Sequence, residues 1–306
     1  MKKRQLGKSN LYVSEIGLGA MSLGTNPIKS AAIISAALEE GINFIDTADL
    51  YDYGLNEELV GHAIKSRRKD IILATKVGNR WNDDKQGWRW DASKSYIFEA
   101  VKGSLRRLQT DYIDLYQLHG GTMEDNHDEV IEAFEELKRE GLILNYGISS
   151  IRPNVIHSFS KKASLSSVMM QYSVLDRRPE EVMPVLDANG ISMIARGPLA
   201  KGLLSEKLLD KASPSILEKG YLDYSFNDLK ELLESLREKF AELNMNAVAL
   251  HYVLSHPTVA TVIPGASSIE QVRENARAVK AGHLTREEVD WIKDISKASV
   301  YLDHRI

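Results

Sequence analysis

Short apolar runs alternate with amphipathic segments along most of this chain, and no other feature constrains its fold as strongly. Strand-length runs separated by helical patterns read as repeated βα units, whose strands are buried in a parallel sheet. The runs expected as strands are Glu15 to Leu18, Asn43 to Asp46, Ile71 to Lys76, Tyr112 to Leu118, Leu144 to Ile148, Ser167 to Gln171, Ser192 to Ala195 and Thr258 to Ile263. Eight strands of this kind close a barrel. A length of 306 residues suits a (β/α)8 or TIM barrel, which typically takes about 250. The expected class is α/β: one (β/α)8 barrel domain over residues 1–306, with an N-terminal β-hairpin and additional loops and helices on the carboxyl side.

Punctuation along the chain supports this division. Ser30 before AAIISAALEEG and Ser93 before KSYIFEAVKGSLRRL read as helix N-caps, and Gly41, Gly141 and Gly190 each close a helix just ahead of a strand. KRQLGKSNLYVSEIG reads as two short arms around Gly-Lys-Ser-Asn, a hairpin that could plug the amino-terminal mouth of the barrel. Two regions break the alternation. GNRWNDDKQGWRWD, between Gly78 and Asp91, reads as a polar loop, and Gly202 to Asn227 is of mixed polarity ahead of an extra helix in NDLKELLESLREKFAELN. Both are carboxyl-side insertions, which in barrels lie over the site and shape what enters it.

In a parallel barrel the carboxyl ends of all strands face one pocket, so polar residues at those ends converge. Asp46, Lys76 and His119 each end a strand candidate, and Tyr51 follows just beyond Asp46. Neighbouring strands lie about 5 Å apart, which makes a buried Lys76–Asp46 pair natural and keeps the amine protonated. A phenol has an ordinary pKa of about 10, and a nearby ammonium makes it a better acid. Tyr51 is the expected proton donor, whereas Tyr53 reads as a loop aromatic. His119 is expected to orient a substrate through a hydrogen bond. Trp81, Trp88 and Trp90 either wall the pocket or clip the long loop down.

Other chemistries find less support. A formal charge of −4 spread along the chain gives no field that would attract nucleic acid. The absence of cysteine removes disulfides, thiolate zinc sites and a thiol nucleophile, and it fits a reducing cytoplasm. HExxH is missing, and His251 and His256 have no neighbouring ligand partner, so no metal is expected. No run approaches the roughly 18 apolar residues of a membrane span, and the basic start lacks the apolar stretch of a signal peptide. A soluble cytoplasmic protein is expected, with its oligomeric state left open. GLGAMSLG, Gly17 to Gly24, has serine at the third glycine position of a dinucleotide fingerprint, and no acidic residue follows in the ribose-binding context. Its glycines read instead as points where backbone approaches a ligand.

DTADLY, LATK and DLYQLH, together with the chain length and the opening hairpin, resemble the aldo-keto reductase superfamily over Gln5 to about Ala281, nearest to bacterial reductases and potassium-channel β-subunit-like members. The resemblance implies a (β/α)8 barrel binding NADPH, with NADH possible, and reducing a small-molecule aldehyde or ketone. It implies Tyr51 as general acid, Lys76 and Asp46 tuning it, and His119 orienting the carbonyl. Asp46 would also contact the nicotinamide ribose, and Ser149 and Gln171 the carboxamide; Ser150 stands where the family's G-x-S-N has asparagine. ARGPLAKGLL resembles the segment beside the nicotinamide and pyrophosphate, which brings in Arg196, Pro198, Leu199 and Lys201, with Arg196 where an aromatic often stacks. VIPGASSIEQVREN resembles the loop that holds the adenosine 2′-phosphate, which brings in Gly265, Ser267, Gln271 and Asn275, with charge from Arg273 and Lys201. Gly19 and Met21 complete the expected cofactor set. Gly120 and Gly121 stand where many relatives have proline and aspartate, leaving more room at the donor site. Two rivals remain: an NADPH-holding redox-sensing regulatory subunit with little turnover, and a Schiff-base lyase using Lys76, which a charged amine disfavours.

Overall fold

The computed structural model describes residues 1–206, 209 and 212–305. The part of the expected 202–227 insertion at 207, 208, 210 and 211 lies outside the described residues. An antiparallel hairpin, β1 (Lys3–Gln5) and β2 (Tyr12–Ser14), opens the chain. The barrel strands are β3 (Leu18–Gly19), β4 (Phe44–Asp46), β5 (Ile72–Val77), β8 (Ile113–Leu118), β9 (Ile143–Ser149), β10 (Ser167–Gln171), β11 (Ser192–Arg196) and β12 (Val259–Ile263). They form one parallel sheet in chain order, from β3 to β12. Its edges meet: the amide of Gly17 donates to the Val262 carbonyl at 2.8 Å, and the amide of Val262 to the Glu15 carbonyl at 3.0 Å. The first strand is thus shorter as a regular element than expected, because Glu15 and Gly17 spend their backbone groups on the last strand.

Helices cover the outside: α1 (Pro27–Glu39), α2 (Leu55–Ile64), α3 (Lys94–Leu108), α4 (His127–Arg139), α5 (Pro153–Lys162), α6 (Met183–Asn189), α9 (Met245–Leu254) and α10 (Ile269–Lys280). Added to these are α7 (Pro214–Lys219) and α8 (Phe226–Lys239) between β11 and β12, and α11 (Arg286–Ile295) after the barrel. Ser93 caps α3 as expected, its hydroxyl accepting from the Tyr96 amide. Ser30 does not begin α1. Asn26 caps it, with Pro27 at the first helical position pre-setting the helical φ, and the Ser30 hydroxyl donates to the Asn26 carbonyl at 2.8 Å. Gly41, Gly141 and Gly190 all have positive φ behind their helices. Among the described residues no helix is long and apolar enough to cross a membrane.

The region expected as a polar loop after β5 is a second antiparallel hairpin, β6 (Asn79–Trp81) with β7 (Trp88–Trp90). Its turn is tied by the Asn82 side chain donating to the Gln86 carbonyl at 2.7 Å. The alternation in Trp-Arg-Trp was its strand signal, hidden among polar neighbours.

The opening hairpin plugs the barrel floor. Leu6, Leu11 and Val13 join the interior-facing Phe44, Ala74, Leu115, Met169 and Ile194 in one buried cluster, separate from the core between strands and helices. Gly7 permits this seating. Its φ is +57°, its amide bonds the Ser192 hydroxyl at 2.8 Å, and a Cβ there would stand 2.4 Å from the Ser166 carbonyl oxygen. Leu6 is fully buried in this plug. Leu6→Ala should lower stability by about 2–5 kcal/mol, read as a lower urea midpoint with unchanged m; an unchanged midpoint would mean that the plug carries no packing energy.

Candidate active site

Register decides which side chains meet. Asp46 lies opposite Ala74, Lys76 opposite Gln117, and Gln117 opposite Gly147. Lys76 is two residues beyond the partner of Asp46, and a step of two keeps the same face, so both side chains point into the barrel. The Lys76 Nζ donates to Asp46 Oδ2 at 2.7 Å, to the Thr47 carbonyl at 2.7 Å and to the Tyr51 hydroxyl oxygen at 3.4 Å. Gln117 Nε2 donates to the other Asp46 oxygen at 3.2 Å. Gln117 was not singled out from the sequence, although it shares the His119 face by alternation in YIDLYQLH.

Lys76 and Asp46 are both almost completely buried. Burial alone would lower the lysine's proton affinity, but the Asp46 charge and its hydrogen bond, with Tyr51, hold the ammonium above the ordinary lysine value. The amine is therefore charged at neutral pH. His119 follows β8, its ring 6.0 Å from that of Tyr51 and nearly perpendicular to it. Burial, then the positive charges of Lys76 and Arg196, push its imidazole down to about 3. It stays neutral, with one nitrogen to donate and one to accept. The four residues expected to converge do so.

They line one end of a cavity of about 1560 Å³. Its walls include Gly19, Met21, Ser149, Gln171, Arg196, Leu199, Lys201, Gly265, Ser267, Gln271 and Asn275. Pro198 is the exception: it does not line the cavity, and its neighbours Gly197 and Leu199 do. Arg273 is also absent from the wall and instead faces Glu39 at 3.7 Å on the outside, while Lys201 is at the wall. Other wall residues escaped sequence reading, among them Asn246, Ser22, Tyr221, Asn79, Arg152 and Glu270. Asn246, in the mostly apolar α9, donates to Asn275 Oδ1 at 3.3 Å, Ser22 ends a short 3-10 helix, and Tyr221 lies between α7 and α8.

A Cβ at Gly19 would stand 2.8 Å from Ile263 and narrow the channel. Elsewhere on the wall Ser268 caps α10, and the amide and hydroxyl of the preceding Ser267 both donate to Gln271 Oε1, at 2.7 and 3.1 Å. A helix start in general favours an anion; at this one both Ser267 donors are taken by Gln271, and Glu270 and Glu274 also line the wall. Arg196 donates to Gln171 Oε1 at 3.1 Å, which fixes its guanidinium on the wall that Ser149 also lines.

The tryptophans divide. Trp88 and Trp90 line the cavity, whereas Trp81 lies under the Arg107 guanidinium, 5.2 Å from its ring centre, and clips the hairpin down. Trp90 is locked: a Cβ at Gly78 or Gly120 would collide with or press upon its ring, and its indole N–H donates to Asp125 at 2.8 Å. The glycine at 120 thus seats Trp90 rather than only enlarging the donor site.

Comparison with known proteins agrees with this geometry. The profile of the aldo/keto reductase family matches residues 15–297. The chain is 59% identical over 305 residues to the uncharacterized oxidoreductase YqkF of Bacillus subtilis (strain 168), covering 100% of both. It superposes on the holo form of the aldo-keto reductase AKR11C1 from Bacillus halodurans with a TM-score of 0.95, at 58% identity and 100% coverage of both chains. It is also 28% identical over 304 residues to a probable voltage-gated potassium channel subunit beta of Arabidopsis thaliana, covering 91% of each. With its eight-stranded barrel and this family match over most of its length, the chain belongs to the aldo/keto reductase family of oxidoreductases.

Proposed function

We propose that the protein reduces aldehyde or ketone carbonyls to alcohols with NADPH, with Tyr51 as the general acid. One observation carries this reading: the Lys76 ammonium, pinned by Asp46, reaches the Tyr51 hydroxyl at the wall of a cavity of about 1560 Å³. The nicotinamide, when bound, supplies a hydride to the carbonyl carbon. Tyr51 gives its phenolic proton to the carbonyl oxygen, so that hydride and proton together complete the alcohol. Lys76 stabilises the charge left on the tyrosine oxygen, and Asp46 keeps Lys76 protonated. His119, neutral, donates a hydrogen bond that turns the carbonyl oxygen toward Tyr51. Ser149, Gln171 and Arg196 would hold the nicotinamide end. Lys201, Ser267, Gln271 and Asn275 would hold the phosphates and adenosine.

A Schiff-base role for Lys76 is disfavoured by the same geometry. Its three N–H groups all have acceptors, so no lone pair is free to attack a carbonyl. The likeness to a channel β subunit supports a second reading, a cofactor-holding regulatory subunit with little turnover. Slow cofactor release and negligible turnover across a broad carbonyl panel would favour it over the reductase.

Tyr51→Phe should lower kcat by about 10²–10⁴-fold, while NADPH binding, followed by tryptophan quenching, stays nearly intact; retained kcat would remove the acid assignment. Lys76→Met should abolish turnover and, by leaving Asp46 buried without its partner, cost about 3–5 kcal/mol of stability, seen in urea unfolding. Because His119 titrates near 3, kcat/KM should show no histidine inflection between about pH 5 and 8. An inflection near 6.5 that vanishes in His119→Asn would contradict a neutral orienting donor. NADPH should bind more tightly than NADH; equal dissociation constants would remove the 2′-phosphate assignment.

A further inference from the structure

The turn that carries Tyr51 is strained. Asp52, Tyr53 and Gly54 have φ of 49°, 53° and 90°, three successive residues in the left-handed region. Two of them bear side chains, and that conformation persists only where the surroundings enforce it. What enforces it lies directly beneath. Glu57, in the first turn of α2, is fully buried and accepts the Thr75 hydroxyl at 2.6 Å. Its other oxygen receives both Nε and Nη2 of Arg107, each at 2.7 Å. The carboxylate sits at a helix start and Arg107 in the last turn of α3, each at the end that favours its charge.

Arg107 also touches the turn itself. A Cβ at Gly54 would stand 2.8 Å from Arg107 Cδ, so the glycine is in contact with the arginine stem, and the guanidinium lies over Trp81 of the β6–β7 hairpin. On the other flank the Gly87 amide of that hairpin donates to the Tyr53 hydroxyl at 3.4 Å. Asp49, buried within electrostatic reach of Glu57 and Arg107, donates its amide to the Lys76 carbonyl at 3.4 Å. The Lys76–Tyr51 contact, at 3.4 Å, is the longest of the three that Lys76 makes. Asp46 and Lys76 are held by strands, whereas the backbone of Tyr51 belongs to this turn, so its placement depends on the turn and on the long Lys76 contact.

We propose that Arg107 is a positioning residue for Tyr51: bonded to Glu57 and packed between Gly54 and Trp81, it clamps the strained turn and ties the hairpin over the cavity to the acid. The proposal rests on the reading of Tyr51 as proton donor. Arg107 touches neither substrate nor cofactor space, since it is absent from the cavity wall. Its effect should therefore fall on the proton-transfer step. A displacement of about 1 Å at a reacting group costs on the order of 10²-fold in rate.

The test compares Arg107→Met and Arg107→Lys with the wild-type enzyme in kcat, KM, NADPH affinity by tryptophan quenching, and the solvent deuterium isotope effect on kcat. Arg107→Met should lower kcat by roughly 10–100-fold, leave KM and NADPH affinity within about threefold, and raise the solvent isotope effect. Arg107→Lys, which keeps one charged bond to Glu57, should recover part of the loss. A folded Arg107→Met enzyme with kcat within about twofold of wild type would overturn the proposal. So would parallel losses in kcat, KM and NADPH affinity with an unchanged solvent isotope effect, because they mark general loosening. If Arg107→Met does not fold, Gly54→Ala decides: it keeps both charges but drives a methyl into the arginine stem, and wild-type kcat with an unchanged isotope effect would again overturn the clamp. An active Tyr51→Phe enzyme would sink the acid assignment itself, whereas an inactive one beside a wild-type-like Arg107→Met would sink only the clamp.

Discussion

The buried pair of Lys76 and Asp46 is the interaction on which the barrel mouth depends. Two charges taken out of water each cost several kcal/mol, even after relaxation, and the mutual attraction offsets this only when their remaining polar atoms are occupied. Here the occupation is complete on the ammonium. Lys76 reaches a carboxylate, a backbone carbonyl and a phenol, and Gln117 covers the second Asp46 oxygen. The partners come from β4, the segment after it, β5 and β8, so the pair exists only in a sheet with this register. A slip of one residue in β5 would turn Lys76 outward among the covering helices.

That pair also sets the electrostatics of its neighbours. Burial, then the cation that draws Asp46 close, then Arg196 push His119 toward the neutral form. One fixed charge thus adds to the burial that keeps a histidine neutral and stands beside the oxygen of a phenol. The three side chains that need exact separation, Asp46, Lys76 and Gln117, are on strands. Those that line the cavity, Tyr51, Trp88, Trp90, Lys201 and Ser267, are on turns, on the short hairpin and in loops at the carboxyl rim. Rigid elements hold the charge, and the connecting segments shape the space around it.

The residues that read most clearly from sequence were those governed by local chemistry. Glycine at 41, 141 and 190 announced helix ends because only a residue without a Cβ takes that backbone freely. Ser93 announced a helix start through its hydroxyl. Ser30 misled, because Asn26 followed by Pro27 offered a better cap four residues earlier. The β6–β7 hairpin was missed because its strands are three residues each and lie between charged and polar side chains. Pro198 was expected at the cavity on sequence likeness, yet the turn after β11 presents Gly197 and Leu199 instead.

The sequence by itself determined the βα alternation, the plugging hairpin and the identity of the four polar residues at strand ends, because periodicity and turn chemistry act over a few residues and survive without a partner. Only the tertiary structure decided that Gln117 completes the Asp46 pair, that Trp81 clips while Trp88 and Trp90 wall, and that Glu57 and Arg107 underpin the Tyr51 turn. The contacts behind these join segments 26 to 71 positions apart in the chain. Such contacts are set by barrel register and closure, and no local pattern encodes the distance across a closed sheet.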